Sequence, residues 1–424
     1  MPRTRPTLPA PALQLLRRVG APAGEVARYW SAEARPLQRA LVALLLAASA
    51  DMAAGLSLGH ADGPLERLPG LLVLIPGALA IRGTVFGSLG ARLGTAMHTG
   101  QFEQDLAPGG WLWRQLEAAQ LLTVILSVET AAIAKAIGAG LGLAMLPLWD
   151  LVAISVLGGL LAGVALMAVT VTLARTAQRR DWNMDDIGAP TITAAGDLFA
   201  IPALLLATVA AQRGAVTATI GIASTVGGVA AAAYGWFHPR ADVRRLVRES
   251  VGVLSLAAAL SVVAGVVIES RGDLFRSTPS LLVLFPAFLA MFGALGGSLA
   301  SRLTSKLHLG LLEPRALPTR PAALDISSTY LMAVAVFTFV GAATWAVSLA
   351  TGLDQPGLMR LLGVAVLGGL MGTSILSVVA YTASTATYRF GLDPDNHAIP
   401  IVTSTMDFLG MLCLVAALAL LQVG

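Results

Sequence analysis

Cysteine is nearly missing from this 424-residue chain. Cys413 stands alone, which excludes an intrachain disulfide and any cysteine-ligated metal cluster. Charge is scarce as well. Asp, Glu, Lys and Arg together make up 12%, against 56% hydrophobic residues and a mean hydropathy of +0.76. That balance excludes a soluble globular chain. Residues 1–39 carry seven Arg and several Pro but no clean apolar core, so no cleavable signal is expected. The pI near 9.6 does not point to nucleic acid, because the basic residues sit mostly at the borders of apolar runs.

What is present is a succession of apolar runs of about 20 residues, long enough to cross ~30 Å of hydrocarbon as helices. The runs predict an all-α, polytopic membrane protein with eleven spans. They fall near 40–58, 70–96, 118–146, 149–174, 190–211, 215–237, 250–268, 280–303, 327–351, 358–384 and 400–422. With the N-terminus inside, 21 of the 28 Lys and Arg fall on inside segments and five outside; Arg82 and Lys135 lie within spans. The excess predicts a cytoplasmic N-terminus and an exterior C-terminus in the plasma membrane. Leu13, Leu15, Leu16, Val19 and Val26, interleaved with Arg, suggest an interfacial helix, with a basic tail as the alternative.

The chain is also written twice, at an offset of 210 residues. Leu71–Gly100 and Leu281–Gly310 share 15 of 30 positions, including Pro76/Pro286, Gly83/Gly293, Gly87/Gly297, Arg92/Arg302 and His98/His308. Val156–Leu160 and Val366–Leu370 both read VLGGL, and Pro190/Pro400, Thr193/Thr403 and Asp197/Asp407 keep the same register. The expected organisation is a cytoplasmic basic segment at 1–39, a five-helix repeat at 40–211, a linker with an extra span at 212–249, and a second repeat at 250–424. Two units of five spans joined directly would be inverted relative to each other. The extra span restores parallel orientation, so the halves should meet at a central site.

The chemistry concentrates before and within the last span of each repeat. In the second, Asp393 and Asp395 precede Pro400, Thr403 and Asp407; in the first, Asp185 and Asp186 precede Pro190, Thr193 and Asp197. Pro suits the first turn of a helix. Seven residues on, about two turns deep, each repeat buries a lone Asp among apolar residues. An ionised carboxylate there costs several kcal/mol unless it faces water or a cation. Duplication sets Asp197 and Asp407 on either side of the pseudo-axis, where a divalent cation would relieve their repulsion. Mg²⁺ favours oxygen ligands and dehydrates reluctantly, so few carboxylates would hold it through its waters. Capping or helix–helix hydrogen bonding is the plainer reading of these Asp residues, and a solvated loop that of Asp185, Asp186 and Asp395. For His98 and His308, beside basic neighbours, an interface role fits better than metal ligation.

The second span of each repeat is glycine-rich, with Gly83, Gly87, Gly90 and Gly94, then Gly293, Gly296 and Gly297. Close helix packing explains this spacing, and exposed pore carbonyls are the alternative. Asp51, Arg82, Glu129 and Lys135 are not duplicated; their counterparts are Ser261, Phe292, Phe339 and Trp345. Pairing of Arg82 with Asp51 or Glu129 would neutralise charge within the first half.

The pattern of Asp393, Pro394, Pro400, Thr403 and Asp407 resembles the last-helix motif of MgtE magnesium channels. The Pro76–Gly100 helix, with Arg82-Gly83 and Ala91–Thr95, is similar to solute carrier 41 magnesium transporters, as is Ser301–Ser305. Those proteins look like a fused pair of MgtE membrane domains. The resemblance covers nearly all of 40–422. It implies Mg²⁺ as transported or bound ion, on a pathway between the halves, with Asp197 and Asp407 as its carboxylates. Asp185, Asp186, Asp393, Asp395, Thr193 and Thr403 complete the expected metal-binding set. Asp393 has Asn183 as its counterpart, and Thr84 and Ala294 replace an Asn usual in the family. Only 39 residues precede the first span, so the soluble sensing domains of MgtE are not expected. The expected partners are a divalent cation and the bilayer, with one chain acting as a pseudo-dimer and no nucleic acid. A transporter using Arg82 to bind an anion is the first rival. An intramembrane aspartyl enzyme is the second, opposed by the lack of a GxGD motif; no enzymatic activity is expected.

Overall fold

A computed structural model describes residues 23–98, 100, 102, 107, 109–180, 184–210, 215–391 and 394–423; for 62, 64, 66, 98, 184–190, 210, 215 and 394–397 it describes the backbone only. The regular elements among the described residues are helices. They are α1 (Ala23–Ala32), α2 (Ala34–Gly59), α3 (Asp62–Arg67), α4 (Leu71–His98), α5 (Trp111–Gly140), α6 (Leu148–Arg179), α7 (Met184–Ala210), α8 (Ala215–Trp236), α9 (Ala241–Glu269), α10 (Gly272–Ser277), α11 (Ser280–His308), α12 (Arg320–Thr351), α13 (Leu358–Phe390) and α14 (Pro394–Leu420). All but the short α1, α3 and α10 are long and apolar enough to cross a membrane, which makes eleven candidate spans. Helices are required there because the backbone must satisfy its own hydrogen bonds in hydrocarbon.

Several ends differ from the sequence expectation. The third span begins at Trp111 and stops at Gly140 instead of continuing to 146. Gly142 turns the chain at φ +76°, a conformation that glycine alone adopts without strain. The seventh span begins at Ala241, so Arg244, Arg245 and Arg248 stand on α9 itself. Arg248 donates from Nε and Nη2 to the Trp236 carbonyl at 3.1 and 2.7 Å, satisfying an orphan acceptor at the end of α8. The proposed interfacial helix falls largely on residues outside those described. The described α1 docks on the second half: Tyr29 Oη donates to Asp325 Oδ1 at 2.7 Å, and Trp30 Nε1 to Ser327 Oγ at 3.2 Å. Burial and the bond to Asp325 hold the Tyr29 hydroxyl protonated above its usual range.

The two repeats exchange their first helices. α2 packs on α7 of its own half and on α11 of the other, while α9 packs on α14 of its own half and on α4 of the other. Two glycines at the 210-residue offset permit this. A Cβ on Gly55 would strike the Val283 carbonyl oxygen on α11, and one on Gly265 would strike that of Val73 on α4. In a membrane, where lipid is as apolar as leucine, such close backbone approach is a main source of helix association. The largest buried cluster accordingly runs through both halves, from Leu58 and Ile75 to Phe285 and Leu414. α8 lies against α5 and α6 on the outside of the first half. Its Gly221 meets the Trp149 backbone and its Gly228 meets Val128.

Candidate functional site

The glycine stripes of α4 and α11 set the site's walls. A Cβ on Gly83 would come 3.7 Å from Thr193 Cγ2, and one on Gly87 3.1 Å from Thr193 Oγ1. In the second half a Cβ on Gly293 would come 3.6 Å from Thr403 Cγ2. Each stripe therefore seats the Thr of the last helix against the second helix. The packing reading of these glycines is the one the contacts support. Thr84, at the position where an Asn was expected from the resemblance, turns its hydroxyl to the Ala80 carbonyl at 2.7 Å.

One turn beyond those threonines stand Asp197 on α7 and Asp407 on α14. Both are half-buried, retaining accessible surface deep in the bundle. Each receives a polar group from the first helix of its own half. Ser261 Oγ donates to Asp407 Oδ2 at 2.5 Å. At the equivalent place in the first half, Asp51 hydrogen-bonds Asp197. A bond between two carboxyls needs one proton between them. The Asp407 carboxylate lies close enough to feel the charge of Asp197. The structure thus brings the two predicted deep carboxylates to one locus and adds Asp51 and Ser261 to it. These two additions were legible only as polar residues facing each other across the offset in apolar helices.

Arg82 faces the same locus. It is 2% exposed and attracted by Asp197, with Nη1 donating to the Ala78 carbonyl at 2.7 Å. Among the described residues Arg82 forms an ion pair with neither Asp51 nor Glu129, the two partners expected for it. Glu129 lies toward α9, where its Oε2 accepts from Ser255 at 2.7 Å. In the second half the counterpart of Arg82 is Phe292, which packs against Phe288 and Phe337 at centroid distances of 5.1 and 5.0 Å. Aromatic rings there fill the volume that a guanidinium fills in the first half.

The helix entrances differ from expectation. α7 starts at Met184 and α14 at Pro394, so Pro190 and Pro400 lie two turns inside their helices instead of opening them. Pro394 takes the first-turn position. Asp185, Asp186 and Asp395 then belong to first turns, where exposed N–H groups favour carboxylates, and not to a preceding loop. Their side chains, and Asp393 and Asn183 entirely, lie outside the described residues. Arg92 and Arg302 tie the far ends of α4 and α11 to the next helix, through Gln115 Oε1 at 3.0 Å and Ser328 Oγ at 2.9 Å. His308 bonds the Thr304 carbonyl and packs edge-on against Tyr388 at 5.2 Å, as an interface residue would.

Among the described residues no three His, Cys, Asp or Glu converge closely enough to wrap an ion directly. A family model described as a divalent cation transporter, MgtE, matches this chain twice, over residues 75–207 and 285–417. No solved structure matches it.

Proposed function

The chain belongs to the MgtE divalent cation transporter family, and from that premise we propose that it carries Mg²⁺ across the plasma membrane along a path between its two repeats. One observation carries this reading. Asp197 and Asp407 stand one in each repeat at the same register, Asp407 lies within reach of the charge of Asp197, and both keep accessible surface. A buried like-charge pair is unfavourable when empty and is relieved by a dication. Thr193 and Thr403 line the same walls, and Asp185, Asp186, Asp393 and Asp395 gather cations at the mouth. The chain is oriented with its N-terminus in the cytoplasm, and one copy suffices because both halves of the path are present.

The rival in which Arg82 binds an anionic solute is disfavoured by its surroundings. The guanidinium is buried and already faces the Asp197 carboxylate. The test is uptake into proteoliposomes across a panel of divalent cations, with and without a sodium gradient. Asp407→Asn and Asp197→Asn should abolish divalent flux in folded protein. Normal flux in both variants, with loss on Arg82 substitution, would reverse the assignment.

A further inference from the structure

The extra span α8 breaks the two-fold symmetry on the outside of the bundle. It packs on α5, α6 and α9. At the 210-residue offset those helices correspond to α12, α13 and α2. Beyond each other, α12 and α13 pack on the spanning helices α11, α14 and α2, so nothing among the described residues stands in the place of α8. That side faces the bilayer: Val42 and Leu46 of α2 are 56% and 68% exposed, and Leu331 of α12 is 40% exposed. Between α2 and α12 lies an apolar groove of about 270 Å³, lined by Leu37, Leu41, Leu331 and Met332 and, from α1, by Trp30. An adjoining depression shares Gln38 with it and continues over Arg39, Val42 and Leu46.

The roots of α9 and α2 differ in charge at this place. In the first half, Arg248 satisfies the Trp236 carbonyl at the end of α8 and lies 5.1 Å over the indole ring, while Arg245 pairs with Glu249 at 2.7 Å. The counterparts of Arg248, Arg245 and Glu249 are Gln38, Arg35 and Arg39. An Arg–Glu pair thus becomes two exposed arginines four residues apart on one helix face, a spacing at which like charges repel. Among the described residues neither has an ion-pair partner, and residues 1–22 contain no Asp or Glu to supply one. Two unpaired positive charges beside an apolar groove match an anion with an apolar tail. Trp30 sets this place at the border of hydrocarbon and headgroups, where tryptophan is enriched. We propose that the groove between α2 and α12 binds one anionic phospholipid, in the place that α8 takes in the first half. Its phosphate meets Arg35, Arg39 and Gln38, and one acyl chain lies along Leu37, Leu41, Leu331 and Met332. Arginine suits a phosphodiester because its fork of donors matches the phosphate oxygens. A zwitterionic headgroup returns no net charge to the arginine pair; an anionic one does. This site requires the membrane setting of the helices and not the transport reading.

Native mass spectrometry of the full chain, titrated in detergent with dioleoyl phosphatidylglycerol or dioleoyl phosphatidylcholine, reads the site directly. The parent should retain one phosphatidylglycerol at least about tenfold more tightly than phosphatidylcholine. Arg35→Gln and Arg39→Gln should each lower that preference about fivefold, the effect of one basic residue at an anionic headgroup. Arg39→Glu writes the first-half pair into α2 and should abolish the preference. Arg360→Glu makes the same charge change on an exposed arginine at the opposite end of the bundle and should leave it intact. Ala335→Trp fills the groove and should weaken both lipids alike; if that variant is not monodisperse, the exposed arginine variants carry the test. Equal retention of the two lipids by the parent would overturn the site, as would an Arg360→Glu variant that loses preference as far as Arg39→Glu does. Displacement of the bound lipid by inorganic phosphate alone would reduce the site to a surface anion contact and overturn the groove's part in it. A parent that runs as a dimer separated by Arg39→Glu, without lipid preference, would assign the face to a second copy instead.

Discussion

Substituting Gly265 by Ala tests the exchange of first helices on which the site's geometry depends. The added methyl would fall on the Val73 carbonyl oxygen of α4, with the Leu72 carbonyl also within contact. These are backbone atoms held by α4's own hydrogen bonds, so α9 must move away. Overpacking of this kind costs about 1–3 kcal/mol. Replacing a helical glycine by alanine returns roughly 0.5–1 kcal/mol through lost unfolded-state freedom. The net destabilisation expected is therefore about 0–2.5 kcal/mol, centred near 1 kcal/mol. Gly252 on the same helix supplies the control: it is exposed and a Cβ there meets nothing within 4 Å. Gly252→Ala should be neutral or stabilising by up to about 1 kcal/mol. Gly55→Ala should behave like Gly265→Ala, and since the two contacts share no partner their effects should roughly add. Cooperative unfolding in mixed dodecylmaltoside and dodecyl sulfate micelles, followed by far-UV circular dichroism, reads the difference. If Gly265→Ala unfolds within 0.5 kcal/mol of Gly252→Ala, with 0.5 taken as roughly the error of additivity, the close approach of α9 to α4 is not what holds the halves together.

Two further expectations concern orientation and the mouth. A reporter at the C-terminus should read out as exterior and one inserted between Phe237 and Arg240 as cytoplasmic; a cytoplasmic C-terminus would remove the parallel arrangement of the proposed transport path. Neutralising Asp185, Asp186, Asp393 or Asp395 singly should lower apparent cation affinity only modestly, because solvent screens such charges over roughly 8 Å. Asn183→Asp should tighten binding at the mouth. Unchanged affinity in that variant, with full flux in Asp393→Asn, would return these residues to an ordinary solvated terminus.

Much of this molecule was decided by sequence alone. Length, apolarity and lack of charge dictate eleven spanning helices, because hydrocarbon admits no other self-satisfied backbone here. The constant offset of 210 residues dictates two like halves, and the extra span α8 their common direction. The lone Asp197 and Asp407 stood out because ionised groups are expensive in apolar surroundings. Periodicity could not say which helices touch. That depends on backbone approach at single positions, and Gly55 and Gly265 read as unremarkable until α2 and α9 are seen crossing to the opposite half. Nor could it choose a partner for Arg82. Glu129 and Asp51 were equally available along the chain, and only the packing of α2 and α7 places Asp51 and Arg82 on the same carboxylate while turning Glu129 away to Ser255. The prolines misled for a related reason. Pro190 and Pro400 are written as helix openers, yet helix continues six residues before each, because a missing N–H interrupts one backbone bond without ending the helix when neighbouring helices hold it. Local chemistry fixes which residues are costly to bury; only the assembled bundle fixes which of them meet.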